Sequence, residues 1–144
     1  MSEISGQHAA PGRTGTNPAR PVFLNPFKVR LPVTAIVSLA HRISGMLLVL
    51  ALPGCVYLLA ASLAPDADPA RWAAALHSVP GRLVTLVAVW SLAHHTAAGV
   101  RHLLFDAGYG TNYRKARTTA WAVHGIAIAA VLLTLAWMAW GAQP

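Results

Sequence analysis

Three stretches of this chain are apolar for long enough to leave water altogether. From Ile43 to Pro65 there is no Asp, Glu, Lys or Arg, from Leu83 to Val100 only histidines break the apolar character, and from Thr118 to Pro144 the four charged types are again absent. Each stretch is close to or above the roughly 20 residues that carry a helix across about 30 Å of hydrocarbon. The pattern predicts an all-α membrane protein with three transmembrane helices, over about 31–63, 81–107 and 119–140. The first would be about 50 Å long, so a good part of it protrudes. Counting back about 20 residues from its far end puts the inner boundary near Ser44, and Pro53 with Gly54 predicts a kink inside the span.

The flanks read differently. Residues 1–20 mix turn formers with scattered charge and have no periodic apolar face, which predicts a flexible tail ahead of a membrane-anchor domain over 21–144. Pro21, Pro26 and Pro32 forbid a long helix between them, and Phe23, Leu24 and Phe27 suit the headgroup level. "APDADPARWAAALHSVPG" between the first two spans predicts turns and a short amphipathic piece on the outer surface. "TNYRKAR" is read as a short basic loop into the third span, which ends in the interfacial pair Trp137 and Trp140.

Composition and charge agree with a membrane protein. Hydrophobic residues make up 56% and charged residues only 10%, against about 25% charged in soluble domains. The net charge of +7 is not gathered into a soluble patch with interleaved aromatics, which excludes a nucleic-acid partner. Of the 11 Lys and Arg residues, five precede the first span or lie at its mouth and four lie from Arg101 through Arg117. Only Arg71 and Arg82 lie between the first two spans, and none follows the third. The positive-inside rule then places the N-terminus in the cytoplasm and the C-terminus on the periplasmic side. Cys55 is the single cysteine, so the chain has no disulfide, no CxxC pair and no thioether haem attachment. The first thirty residues lack the apolar core of a secretion signal.

The polar residues near the spans carry the chemistry. Ser38, His41, Arg42 and Gly45 fall at i, i+3, i+4 and i+7, one helix face. The bland account has Arg42 snorkelling to lipid phosphates and Ser38 bonding back to the Thr34 carbonyl, and it leaves His41 without a reason. On the second span His95, Gly99, His102 and Asp106 form another stripe, with Arg101 beside it. His94 and His95 diverge by about 100°, so both cannot hold one iron from the same side. Gly99, one turn from His95, leaves room for a flat macrocycle. Running antiparallel, the first two spans bring Arg42 and Arg101 to one level, with His95 about 9 Å deeper. A haem ligated by His95 would then set its propionates among His41, Arg42, Arg101 and His102. His124 on the third span reads as a packing residue.

These motifs resemble a known family. S-x-x-H-R-x-S-G at 38–45 and H-x-x-x-G-x-R-H-x-x-x-D-x-G at 95–108, in a three-span layout, are similar to the cytochrome b membrane-anchor subunit of succinate dehydrogenase. The resemblance implies that His95 is an axial ligand of haem b, with the second ligand from the other small anchor subunit. It implies that His41 lies near a propionate, and that Ser38 and Arg42 help bind ubiquinone beside the iron-sulfur subunit. It further implies a complex completed by a flavoprotein subunit that oxidises succinate, in a bacterial inner membrane. Asp106 is expected to support the site, and no residue of this chain is catalytic by itself. The competing reading is a transport subunit whose intramembrane His, Arg and Asp form a proton path. Against it, the polar residues cluster in the cytoplasmic half, and the outer halves of the spans are apolar.

Overall fold

A computed structural model of the chain describes residues 31–141. The tail expected over 1–20 and the interfacial segment after it lie outside the described residues. Four helices follow in order, α1 (Val33–Ser62), α2 (Pro69–His77), α3 (Val79–Asp106) and α4 (Tyr113–Trp140). There is no strand among the described residues. Helices α1, α3 and α4 are each long and apolar enough to cross a membrane, and most of their large apolar side chains face outward. Such a surface is stable only against lipid, where a helix satisfies every backbone group within its own segment.

The helix ends follow local chemistry. Asp68 caps α2, its carboxylate accepting from the backbone N–H groups of Ala70 and Arg71, with Pro69 in the first helical position. Ser78 ends α2 and begins α3: its N–H donates to Ala74 and Ala75, and its hydroxyl accepts from Gly81 N–H at 3.2 Å. The chain turns that corner without a linker, and Gly81 is why it can. A side chain there would run into the backbone of Ala75 and Leu76.

Helix α3 closes on a paired C-cap. Gly108 takes φ +84° and donates to Phe105 carbonyl at 2.9 Å, while Tyr109 N–H donates to Leu104 carbonyl at 2.8 Å. Gly110, at φ +74°, redirects the chain again before α4. That helix starts at Tyr113, six residues earlier than the apolar pattern predicts. The segment read as a basic loop is its first turns. Asn112 caps them, its side-chain oxygen accepting from Lys115 N–H at 3.0 Å, and Arg114, Lys115 and Arg117 ride on the exposed start of the helix. Helix α1 runs unbroken through Pro53.

Helix α3 lies between α1 and α4 and packs on both. The shared core is small: Val37 from α1, Ala98 from α3, and Ala120 and Val123 from α4, with Val33 and Ala97 beside them. Without a hydrophobic force between helices in lipid, close approach of small residues is what holds spans together. Ala98 is fully buried at the meeting point. Ala98→Leu should therefore overpack the seam and cost about 1–3 kcal/mol. A thermal melt of the detergent-solubilised protein would read this as a lowered midpoint; an unchanged midpoint would mean that the three helices do not meet at Ala98.

Candidate functional site

Two clusters of histidine form on opposite sides of α3. The first joins α1 to α3. His41 projects from α1 between His95 and His102, stacked on His95 with ring centroids 4.3 Å apart and planes 19° apart, and 5.1 Å from His102. The space above Gly99 receives the His41 ring, since a Cβ there would lie 3.7 Å from His41 Nε2.

His95 is fixed by its Nδ1, 3.1 Å from the main-chain carbonyl of His41. A carbonyl only accepts, so the contact is a hydrogen bond with the proton on Nδ1, the arrangement in which the neutral ring leaves Nε2 its lone pair. This is the tautomer a metal-ligating imidazole needs, with its second nitrogen anchored by the backbone. The ring is half-buried rather than sealed. Ser44, fully buried, donates its hydroxyl to the same His41 carbonyl at 2.9 Å. Sequence reasoning passed over Ser44, although its position three residues after His41 is the spacing of a back-bond to a helix carbonyl.

The second cluster lies between α3 and α4. His94 is fully buried, its ring 5.4 Å from Trp90 and 5.4 Å from His124, which in turn meets the edge of Trp121 at 6.3 Å. Neither nitrogen of His94 has a hydrogen-bond partner, nor has the hydroxyl of Ser91 one turn earlier. His94 and His95 therefore face different helices, His94 fully buried and His95 half-buried.

Arg101 departs from the expected arrangement. It shares the His94 side of α3, about 120° from His95, and is only 6% exposed. Its Nε donates to Thr119 Oγ1 at 3.1 Å, a terminal nitrogen donates to the Ala116 carbonyl at 3.2 Å, and its Cζ lies 4.3 Å from the centre of the Phe105 ring. The guanidinium is thereby committed to α4. The seven-residue spacing from His94 carries this, since it returns Arg101 to the α4 side, whereas Thr119 as its partner is invisible in sequence. Arg42 is exposed on α1, Ser38 half-buried one turn before it, and Asp106 exposed at the last residue of α3.

Among the described residues no group of three or more metal-ligating side chains converges. The α1–α3 cluster instead offers one oriented, half-buried imidazole, that of His95. The fold thus defines a membrane protein with three helices long and apolar enough to span the bilayer. The chain belongs to the succinate dehydrogenase/fumarate reductase transmembrane subunit family, which matches residues 16–134. It is 32% identical over 123 residues to a succinate dehydrogenase cytochrome b556 subunit of Coxiella burnetii, covering 85% of this chain and 98% of that protein. It is 35% identical over 108 residues to the subunit of the same name from Paracoccus denitrificans, covering 74% and 82%. The likeness to a succinate dehydrogenase cytochrome b anchor, drawn from the two histidine motifs, is thus the family relationship found.

The Arg101 clamp is open to a double-mutant cycle. Arg101→Lys and Thr119→Val should each destabilise the protein by about 1–3 kcal/mol. The double variant should lose clearly less than their sum, because both remove the same contact. Strict additivity in thermal melts would show that the two side chains do not touch.

Proposed function

We propose that the chain is the haem b-binding membrane anchor of a bacterial succinate dehydrogenase and contributes to its quinone site. The observation that carries this is the His95 imidazole, held through Nδ1 on the His41 carbonyl with Nε2 free, in a chain of this family. Haem b, when bound, supplies a one-electron carrier within the membrane. His95 would hold its iron, with the second ligand supplied by the other small anchor subunit. His41 and His102 stand beside His95 on the same face and offer imidazole donors to the propionate edge, with Arg42 near the cytoplasmic boundary.

Ser38 and Arg42 lie one turn apart on α1, close enough to reach a single quinone head group arriving through the bilayer. The Ser38 hydroxyl can donate to a quinone carbonyl. The Arg42 guanidinium favours negative charge developing on that oxygen as electrons arrive. Arg42 is not committed elsewhere in the way Arg101 is. Succinate oxidation and the iron-sulfur relay fall to the flavoprotein and iron-sulfur partner subunits, since a chain with one cysteine cannot ligate such clusters, which need about four thiolates. The charge distribution along the chain supports a cytoplasmic N-terminus and a periplasmic C-terminus. That orientation puts Ser38 and Arg42 on the side where the soluble subunits dock.

Two measurements test this reading. His95→Ala in the assembled complex should abolish the b-type band of the reduced-minus-oxidised spectrum, whereas His94→Ala should keep it; the reverse result would sink the ligand assignment. Ser38→Ala and Arg42→Leu should each lower quinone reduction by roughly tenfold, the effect of losing about 1–3 kcal/mol with a donor or charge on the bound head group. Electron transfer from succinate to a soluble dye that intercepts electrons upstream should hardly change. Were quinone and dye activities to keep their wild-type ratio, Arg42 would be a snorkelling side chain and the quinone assignment would fall.

A further inference from the structure

We infer that the α1 turn from His41 to Gly45 is a preformed seat for the His95 ring, in which Gly45 is a positioning residue and Ser44 tunes the ligand. The inference rests on the haem assignment proposed above and goes beyond it by naming what sets the ligand's aim and strength. A Cβ at Gly45 would lie 2.8 Å from His95 Cε1 and 3.2 Å from Nδ1. The first distance is shorter than carbon atoms tolerate, so the ring would have to retreat by about 0.6 Å to reach ordinary contact. Its hydrogen bond to the His41 carbonyl is already 3.1 Å long, and its face is stacked on His41 at 4.3 Å. The ring cannot back away from α1 without lengthening the bond that fixes its tautomer.

The other glycines of the spans make no such demand. A Cβ at Gly54 or Gly125 would meet nothing within 4 Å, and one at Gly99 would only touch His41 at 3.7 Å. Gly81 is tightly placed, but against α2. Gly45 alone is required by the candidate ligand.

Ser44 acts on the same carbonyl. Its hydroxyl, 2.9 Å from His41 O, competes with His95 Nδ1–H for the oxygen's electron density. A hydrogen bond from Nδ1–H to a strong acceptor makes the imidazole a more basic ligand. Greater basicity favours the oxidised iron and lowers the reduction potential. Weakening the His95 bond should raise the potential, and relieving the carbonyl of Ser44 should lower it. Opposite signs from neighbouring residues are the signature of a shared acceptor, and general loosening of the helix would not produce them.

The test is a redox titration of the b-type band, with haem content by pyridine haemochrome, on the assembled complex carrying Gly45→Ala, Ser44→Ala, Gly54→Ala or His95→Ala. Gly45→Ala should shift the midpoint upward or reduce haem occupancy by roughly tenfold or more, in line with the usual cost of losing an outer-shell partner. Ser44→Ala should keep its haem and shift the midpoint downward, and Gly54→Ala should match the wild type. If Gly45→Ala fails to assemble, the direction of the Ser44→Ala shift decides alone. Midpoints for Gly45→Ala and Ser44→Ala equal to that of Gly54→Ala, or an upward shift in Ser44→Ala, would overturn the seat. Loss of the band in His95→Ala alongside unshifted Gly45 and Ser44 variants would leave the haem assignment standing and remove only the seat. A band that survives His95→Ala would remove both.

Discussion

One hydrogen bond across two helices organises the candidate site, from the His95 imidazole on α3 to the main-chain carbonyl of His41 on α1. It demands that a ring reach a helix backbone, so α1 must offer a position without a side chain. It also selects one imidazole tautomer, so only one nitrogen remains for chemistry. The stacking of the His41 ring over His95, and the gap above Gly99 that admits that ring, follow from the same close approach. A backbone carbonyl is a dependable anchor in a membrane, because it is held by the helix and has no rotamers of its own.

Helix α3 serves two sides at once, and its residues divide by angle. The face carrying His95, Gly99 and His102 meets α1, and the face carrying Ser91, His94, Ala98 and Arg101 is buried against α4 or the seam. On the second face polar groups are structural or enclosed. Arg101 spends two of its nitrogens on Thr119 and the Ala116 carbonyl, and His94 is walled by aromatic rings. The buried cation ties α3 to α4 beneath the site, while the open face of α1 and α3 keeps its histidine accessible.

Much of this was legible before any coordinates. The long apolar runs mark three spanning helices because the bilayer imposes a minimum length that few other structures share. Both polar stripes keep the faces that helical spacing assigns them, and His41 and Gly45 do meet His95. What could not be read was partner choice. Arg101 lies within one residue of His102, but its angle on the helix carries it to Thr119 and the Ala116 carbonyl on α4. The start of α4 was hidden because charge was taken as a mark of loop, whereas Asn112 carried the capping signal. At Gly99 the nearest side chain comes from α1, where His41 Nε2 would lie 3.7 Å from a Cβ. Nothing in a one-dimensional pattern tells which neighbour will fill a gap.

The corner at Ser78 has a mechanical consequence. One residue caps two helices there, and the backbone of α2 is pressed against Gly81, so the joint has no slack. The two helices form a bent lever whose arms cannot turn independently. A thinner bilayer tilts its spanning helices and a thicker one stands them upright. A tilt of α3 would carry the far end of α2, with Trp72, in the same sense, so a change in bilayer thickness would be felt at one indole ring.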